Sequence, residues 1–366
     1  MNIAVVTDIP ILCSRTMYLD ELHKGLEQLS VDSTIFLVKG SRLLIEGKLP
    51  LQRFLSGLML LKKLVHFDAL HVQFSVPLGF LYAVSRKFHC KPVLVHTHGV
   101  DVFSVPSVGY GLRRNQLGRL LASQAWARAS RIVTVCEKAK EELSLAFVSP
   151  QRISVLYNGV NTELFRKRRI LDAKLAVIRE SSDLIFLNVA GLNPVKNHIA
   201  LIRAFANLTK TYRVGRDAKL LICGAGPLKR ELIVAAHKLD IHRQLMFLGQ
   251  QRHSQMPEIY SLADAFVLPS LSEAHPWSLL EAMSCSLPSI ASAVGGVPET
   301  IQDDRLMFNP HSPTSVDALT SRMLLVAEDA KRRRQIGARN RRTVLERFTI
   351  ERHLKCLLQI YKEVLQ

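Results

Sequence analysis

Two carboxylates, Glu273 and Glu281, stand on either side of a change in local pattern within 264–299, DAFVLPSLSEAHPWSLLEAMSCSLPSIASAVGGVPE. The apolar run Ala265 to Leu268 is short enough for a buried parallel strand and stops at Pro269 and Ser270. A polar loop holding Glu273 follows, and Pro276 opens a helix whose first turn does not need proline's missing N–H. From Trp277 the pattern Leu279, Leu280, Met283 predicts a helix with one buried side, ending near Pro288. One carboxylate therefore lies in the loop and the other about one turn into the helix, beside the amides of Trp277, Ser278 and Leu279. Those amides and the helix dipole favour an anion such as phosphate. A carboxylate one turn in repels that anion but can accept both hydroxyls of a diol. A nucleoside diphosphate sugar offers a diphosphate and a ribose diol together. Taken alone, the two glutamates also fit a helix cap and a solvated surface side chain.

Strand-like runs alternate with amphipathic segments of helix length along the whole chain, which predicts an α/β protein built of doubly wound sheets. The first-half strands lie near Ile3 to Thr7, Thr34 to Val38, Ala69 to Phe74, Val93 to Thr97, Arg131 to Val135 and Ile153 to Leu156. The second-half strands lie near Leu184 to Ala190, Lys219 to Cys223, Leu245 to Leu248, Ala265 to Leu268, Ser289 to Ser292 and Leu306 to Phe308. With 366 residues the chain is long enough for two full cores, and each set reads as one Rossmann-like domain. The expected division is 1–165, joined by a closing helix at 350–366, and 166–349, with the charged run Arg166 to Ile170 as hinge. Ligands of open sheets sit beyond strand ends, which draws HVQF, His71 to Phe74, and VHTHGVDVF, Val95 to Phe103, towards a site. His98 and Asp101 follow the second of these strands. Strand alternation argues against His96 and His98 sharing a metal. Ser14, Arg15 and Thr16, at the mouth of the first helix, fit either a phosphate or acceptor-hydroxyl site or a plain N-cap.

Hydrophobic content of 48% with 7% aromatics fits a folded α/β protein and excludes a disordered chain. The six cysteines are scattered without a C-x-x-C pair, so a reduced compartment without structural zinc is expected. The start, MNIAVVTDIPILCS, lacks a basic opening, carries Asp8, and reads as a first strand rather than a signal peptide. No uncharged apolar run reaches the ~18 residues of a membrane span. Together these predict a cytoplasmic protein. The net charge of +18 calls for anionic partners. Nucleic acid is not expected, because there is no finger, RNP-type aromatic pattern or basic tail. A surface of anionic lipid fits the charge better, and attraction of an anionic substrate adds to it. Segments 42–65 and 111–131 are both apolar and basic. They fit either interfacial helices on the inner face of the cytoplasmic membrane or core helices with a charged outer side.

From Ser272 through SLLEAM to Gly295, Gly296, Pro298 and Glu299 the chain resembles the Glu-x7-Glu segment of retaining family-4 glycosyltransferases, which have the GT-B fold. Ala274 and Ser286 stand where many members carry glycine. Asn158, Gly159, Val160 and Phe165 are similar to the family's closure of the first domain. Pro10, Ser14, Thr16 and Glu21, with the His71-x-x-Phe74 and His98-Gly99-x-Asp101 segments, resemble the bacterial exopolysaccharide and lipopolysaccharide group. The loop AGLNPVK resembles the family's Gly-Arg-Leu-x-x-x-Lys: Lys196 matches the lysine that holds the donor diphosphate, and Gly191 stands in place of the arginine. Gly224-x-Gly226-Pro227 is similar to the family's Gly-x-Gly-Pro turn, with Lys229 and Arg230 just beyond as substitute charges.

The resemblance implies two Rossmann-like domains facing a cleft, with the C-terminal helix crossing back to the first. It implies retaining transfer of a sugar from a nucleoside diphosphate donor to an acceptor hydroxyl on a lipid-linked or other saccharide, in surface polysaccharide synthesis. Lys196 and the helix-mouth amides would neutralise the departing diphosphate, Glu281 grip the ribose, Glu273 position the hexose, and His98 meet it from the opposite domain. Ser14, Arg15, Thr16 and Asp101 fall on the acceptor side. No metal and no cofactor beyond the donor is expected. The missing arginine keeps open a donor-binding subunit of weak activity, and a sugar-nucleotide epimerase of the same architecture would need no acceptor.

Overall fold

The computed structural model describes residues 1–7, 14–38, 51–211 and 218–366. Pro10 and 42–50 lie outside the described residues, as do the side chains of 14–17, which include Ser14, Arg15 and Thr16. The chain forms two compact units, Met1–Asn158 with Glu351–Gln366, and Gly159–Ile350.

The first unit runs β1 (Asn2–Thr7), α1 (Ser14–Gln28), β2 (Asp32–Leu37), α2 (Leu51–Leu64), β3 (Ala69–Gln73), α3 (Phe80–Val84), α4 (Arg86–His89), β4 (Val93–Thr97), α5 (Gln116–Arg128), β5 (Arg131–Thr134), α6 (Glu137–Leu145) and β6 (Ile153–Val155). Its strands pair in parallel in the order β2-β1-β3-β4-β5-β6. β3 and β4 are buried at every position, as expected of central strands covered on both faces. β2 begins at Asp32, opposite Asn2 of β1, two positions before the apolar pattern starts, because backbone pairing extends past the side chains that signal it. The step from β1 to β2 runs one way along the sheet and every later step runs the other. Right-handed crossovers therefore put α1 on one face and α2 to α6 on the other.

The second unit runs α7 (Ala173–Glu180), β7 (Ile185–Val189), α8 (His198–Thr211), β8 (Lys219–Cys223), α9 (Lys229–Lys238), β9 (Leu245–Gly249), α10 (Met256–Leu262), β10 (Ala265–Leu268), α11 (Trp277–Ser284), β11 (Ser289–Ser292), α12 (Val297–Thr300), β12 (Met307–Phe308), α13 (Ser315–Ala327) and α14 (Ala330–Arg347). Its parallel order, β12-β11-β10-β7-β8-β9, reverses between β7 and β10. Ligands bind at such a reversal, because the loops leaving the two strands diverge to opposite faces and open a crevice.

The stretch Gly159 to Phe165, placed with the first domain on sequence grounds, clusters with the second unit. Phe165 is buried, its ring lies 5.0 Å from that of His253, and its carbonyl accepts from Ser284 Oγ at 2.5 Å and from Arg341 at 3.2 Å. A helix as basic as α14 suits a solvated face, yet several of its arginines are engaged within the unit. Arg339 reaches Asp303 at 2.5 Å, Arg333 donates to the carbonyls of Val326 and Ala327, and Arg341 to those of Phe165 and Ser284. The last helix, α15 (Ile350–Leu365), belongs to the first unit. It packs against α1 so closely that a Cβ on Gly25 would lie 2.2 Å from Leu354 Cδ1. Its His353 Nε2 also meets Tyr18 OH at 3.0 Å.

Candidate active site

At the reversal in the second unit, the loop after β7 brings Lys196 and the loop after β10 brings Glu273. Lys196 Nζ lies 2.5 Å from Glu273 Oε1, and Ser270 Oγ donates to the same oxygen at 2.7 Å. The lysine side chain is 24% exposed and the carboxylate 10%, so the ammonium keeps a face for an incoming anion. The loop is braced by Leu271 N, which donates to Val195 O at 2.8 Å. Asn197 turns the chain with φ 53°, and α8 follows at once.

Glu281 sits in α11, buried at 5% exposure. Tyr260 OH donates to its Oε2 at 2.7 Å and His253 Nε2 lies 3.4 Å from Oε1. Burial, with the Glu281 charge beside it, holds the Tyr260 phenol well above its ordinary range. The phenol therefore stays protonated and donates. The thiols of Cys223 and Cys285 are pushed up to about 12, by burial first, and remain uncharged. Each carboxylate oxygen has two lone pairs, so both oxygens of Glu281 retain capacity for a vicinal diol.

Of the three helix-mouth amides, that of Leu279 donates to Pro276 O at 3.2 Å. The tight first turn uses this donor internally, which removes Leu279 from the anion-binding set. Trp277 and Ser278 precede it and are half-buried. Gly224 and Gly226 serve the backbone. A Cβ at Gly224 would lie 2.0 Å from Ala190 O, with φ at +147°, and one at Gly226 would lie 2.3 Å from Leu192 O. Their lack of a side chain lets the β8 loop lie against the β7 loop that carries Lys196, where Leu192 N donates to Ala225 O at 2.9 Å. Gly191 is exposed, and a Cβ there would meet only Asn193 Nδ2 at 3.2 Å and Ala225 O at 3.8 Å. A Cβ is admitted once the end of the Asn193 side chain shifts by a few tenths of an ångström. Lys229 and Arg230 are exposed at the start of α9.

In the first unit His98 and Asp101 lie beyond β4. Asp101 is fully buried: Oδ1 accepts from the His98 amide at 3.1 Å, and Oδ2 accepts from Ser75 N and Ser75 Oγ at 3.0 and 2.8 Å. Ser75 Oγ in turn accepts from Trp126 Nε1 at 2.8 Å. Burial raises the Asp101 pKa while these bonds oppose the rise. With no exposed oxygen, Asp101 fixes the backbone of His98 rather than meeting an acceptor. His98 Nε2 lies 2.5 Å from Gln73 Oε1, and Gln73 Nε2 lies 3.2 Å from His71 Nε2. His71 continues to Tyr361 OH at 2.6 Å and to His96 Nδ1 at 3.0 Å. The rings of His96 and His98 stack at 4.4 Å. This overturns the expectation that alternation separates them, because residues two apart share a face. Burial lowers the pKa of His71 to about 3 and of His353 to about 4, and that of His96 well below its ordinary value.

Sequence reasoning passed over Tyr260, His253 and Ser270, which hold the two glutamates, and Gln73, which holds His98. It also passed over His198, buried beside Lys196, whose pKa falls to about 4 by burial and then by the lysine charge. A histidine directly after the Lys-Asn pair was the available signal for His198. Ser270 stands three residues before Glu273 in the same loop, while Tyr260, His253 and Gln73 arrive from separate elements that local spacing does not mark. Among the described residues no group of three His, Cys, Asp or Glu side chains is arranged to hold a metal ion.

Two doubly wound parallel sheets, one with a lysine and two glutamates at its reversal, give the fold class, GT-B, and the family matches give the activity, glycosyl transfer. The chain belongs to the group 1, family 4 glycosyltransferases; the model described as "Glycosyl transferases group 1" matches 174–343 and that described as "Glycosyltransferase Family 4" matches 16–164. N-acetyl-alpha-D-glucosaminyl L-malate synthase of Bacillus anthracis is 27% identical over 82% of this chain and 76% of its own length. An Escherichia coli UDP-Gal:alpha-D-GlcNAc-diphosphoundecaprenol alpha-1,3-galactosyltransferase is 28% identical over 79% of this chain and 72% of its own. In fold, the chain is similar to sucrose-phosphate synthase from Thermosynechococcus elongatus, with a TM-score of 0.81 at 18% identity over 99% of this chain and 98% of that one. It is likewise similar to Anabaena HepE in complex with UDP, with a TM-score of 0.76 at 17% identity over 100% and 99%.

Proposed function

We propose that this glycosyltransferase uses a nucleoside diphosphate sugar and transfers the sugar, with retention at the anomeric carbon, to a hydroxyl of a lipid-linked saccharide. The observation that carries the reading is the Lys196–Glu273 contact at the β7/β10 reversal, with Glu281 held one helical turn into α11. Negative charge grows on the leaving diphosphate in the transition state, and a fixed ammonium with helix-mouth amides stabilises it there. Lys196 supplies that charge with Ser278 and Trp277, while Glu281 accepts the ribose diol. Glu273, oriented by Lys196 and Ser270, positions the hexose, and His98 is the first unit's contact to it. This set carries the phosphate charge without a metal. The names of two relatives support the donor and acceptor classes: HepE was crystallised with UDP, and the galactosyltransferase acts from UDP-Gal on a diphosphoundecaprenol-linked sugar. Incubation with a nucleoside diphosphate hexose and a polyprenyl diphosphate-linked sugar, followed by proton NMR of the new linkage, tests the reading. An α-linked product from an α-donor is expected; a β-linked product overturns retention.

A second reading, a donor-binding subunit of a polysaccharide assembly complex, is favoured by Gly191 alone. A charge-assisted hydrogen bond is worth ~1.5–3 kcal/mol, so its loss weakens donor binding by roughly ten- to a hundredfold. Donor binding without turnover in the same incubation would support it.

A further inference from the structure

We propose that the outer face of the layer formed by α2 to α5 is a docking surface for a bilayer rich in anionic phospholipid, into which apolar side chains of α2 and α4 insert. The chain's topology puts these helices on one face of the first sheet, opposite α1 and α15, and α2 packs on α3 as α3 packs on α5. Three features coincide on that face. Large apolar side chains stand in solvent: Leu58 is 47% exposed, Met59 80%, Phe88 89% and Leu120 55%. Basic side chains flank them, with Lys62 and Lys63 one turn from Met59, Arg86 and Lys87 next to Phe88, and Arg119 next to Leu120, all exposed. Acidic side chains are missing from α2, and between Ala69 and Cys136 the sole acidic residue is Asp101, which is fully buried.

Charge balance of this kind distinguishes the occupant. A protein partner would be met by mixed charge, and a nucleic acid has no use for exposed Met59 and Phe88. An anionic lipid surface takes both, headgroups pairing with the basic side chains while the apolar ones enter the acyl boundary. Cation charge on α14, by contrast, is spent largely on carbonyls and Asp303 within the second unit. The surface is distinct from the donor site. It gives the lipid-linked acceptor of the proposed function a location, yet its test reads lipid association without turnover, so either idea can fail alone.

Flotation of the full chain with vesicles of phosphatidylcholine plus phosphatidylglycerol, against phosphatidylcholine alone, decides it. Wild type is expected to float with the mixed vesicles and not with the neutral ones, less so at high salt. The pair Lys62→Glu and Lys63→Glu should weaken partition by about thirtyfold or more. Met59→Ser with Phe88→Ser should weaken it by about tenfold or more. Arg334→Glu on exposed α14 should leave it unchanged. These positions are exposed, and an unchanged melting temperature shows each variant folded. Equal flotation with both vesicle types, loss with Arg334→Glu equal to that of the lysine pair, or duplex DNA binding lost with the lysine pair but kept by Met59→Ser with Phe88→Ser, would each overturn the proposal.

Discussion

Two sheets of the same architecture treat charge at their strand ends in opposite ways. In the second unit, the reversal between β7 and β10 holds a partly open ammonium against a buried carboxylate, with a second carboxylate one turn into α11. In the first, the ends of β3 and β4 hold Gln73, His96 and His98 in a dry network running through His71 to Tyr361 of α15. Charge is kept where a ligand can compensate it. Where no counter-charge stands, burial holds His71 and His96 neutral, and most of the ring nitrogens find a neighbour in Gln73, Tyr361 or another ring. The first network thereby fixes a ring. If Gln73 Oε1 accepts from His98 Nε2–H, and Gln73 Nε2 donates to His71, then His98 is held as the tautomer whose Nδ1 is an acceptor.

The largest expected effect breaks the charged side of this contrast. Glu281→Ala removes the diol acceptor and leaves Tyr260 OH without its partner, so kcat/KM should fall by about a hundredfold or more; steady-state kinetics that match wild type would remove Glu281 from the site. Gly191→Arg sharpens the same side. The position is exposed and its nearest neighbour is the movable end of Asn193, and donor Kd by calorimetry should tighten by roughly ten- to a hundredfold. An unchanged Kd would show that Lys229 and Arg230 already supply the charge. Gln73→Leu breaks the neutral side. It strands Nε2 of His98 in a buried place, while His71 keeps His96 and Tyr361, at about 1–3 kcal/mol, and should lower Tm by about 4–10 °C in a scan that reads Trp126 of the first unit in a Trp277→Phe background. A pH effect follows from the same burial. Folded His71 and His353 bind protons only near 3 and 4, while unfolded histidine does so near 6.5. The unfolded chain therefore takes up more protons between those values, and stability present above about pH 6.5 is lost progressively as pH falls towards the folded values. The first unit, with His71, His96 and His353, should unfold at higher pH than the second, which has His198 of this kind; Trp126 and Trp277 fluorescence, each read with the other tryptophan replaced by Phe, compares them.

The fold and half of this contrast were legible in sequence for a physical reason. Parallel strands covered on both faces read as continuous apolar runs, and a proline after a strand end marks a helix mouth. Glu273, Glu281 and Lys196 stood at such marks. Their partners did not. Tyr260 and His253 reach Glu281 from α10 and the turn before it, and Gln73 reaches His98 from a neighbouring strand, so tertiary packing rather than spacing brings them together. The same blindness hid the engagement of Arg339 and Arg341 and the internal use of the Leu279 amide, since charge or an amide in a sequence says nothing of whether a carbonyl waits beside it. The Gly159 to Phe165 stretch clusters with the second unit because its anchor, Phe165 against His253, lies far along the chain.

Binding of a nucleoside diphosphate at Lys196 of the β7/β10 reversal is the central claim. Isothermal titration of UDP-glucose and its relatives into wild type and Lys196→Ala measures that directly. At least one donor should bind wild type and lose roughly ten- to a hundredfold in affinity in the variant. Binding equally tight in both, or absent for every nucleoside diphosphate sugar in wild type, would contradict it.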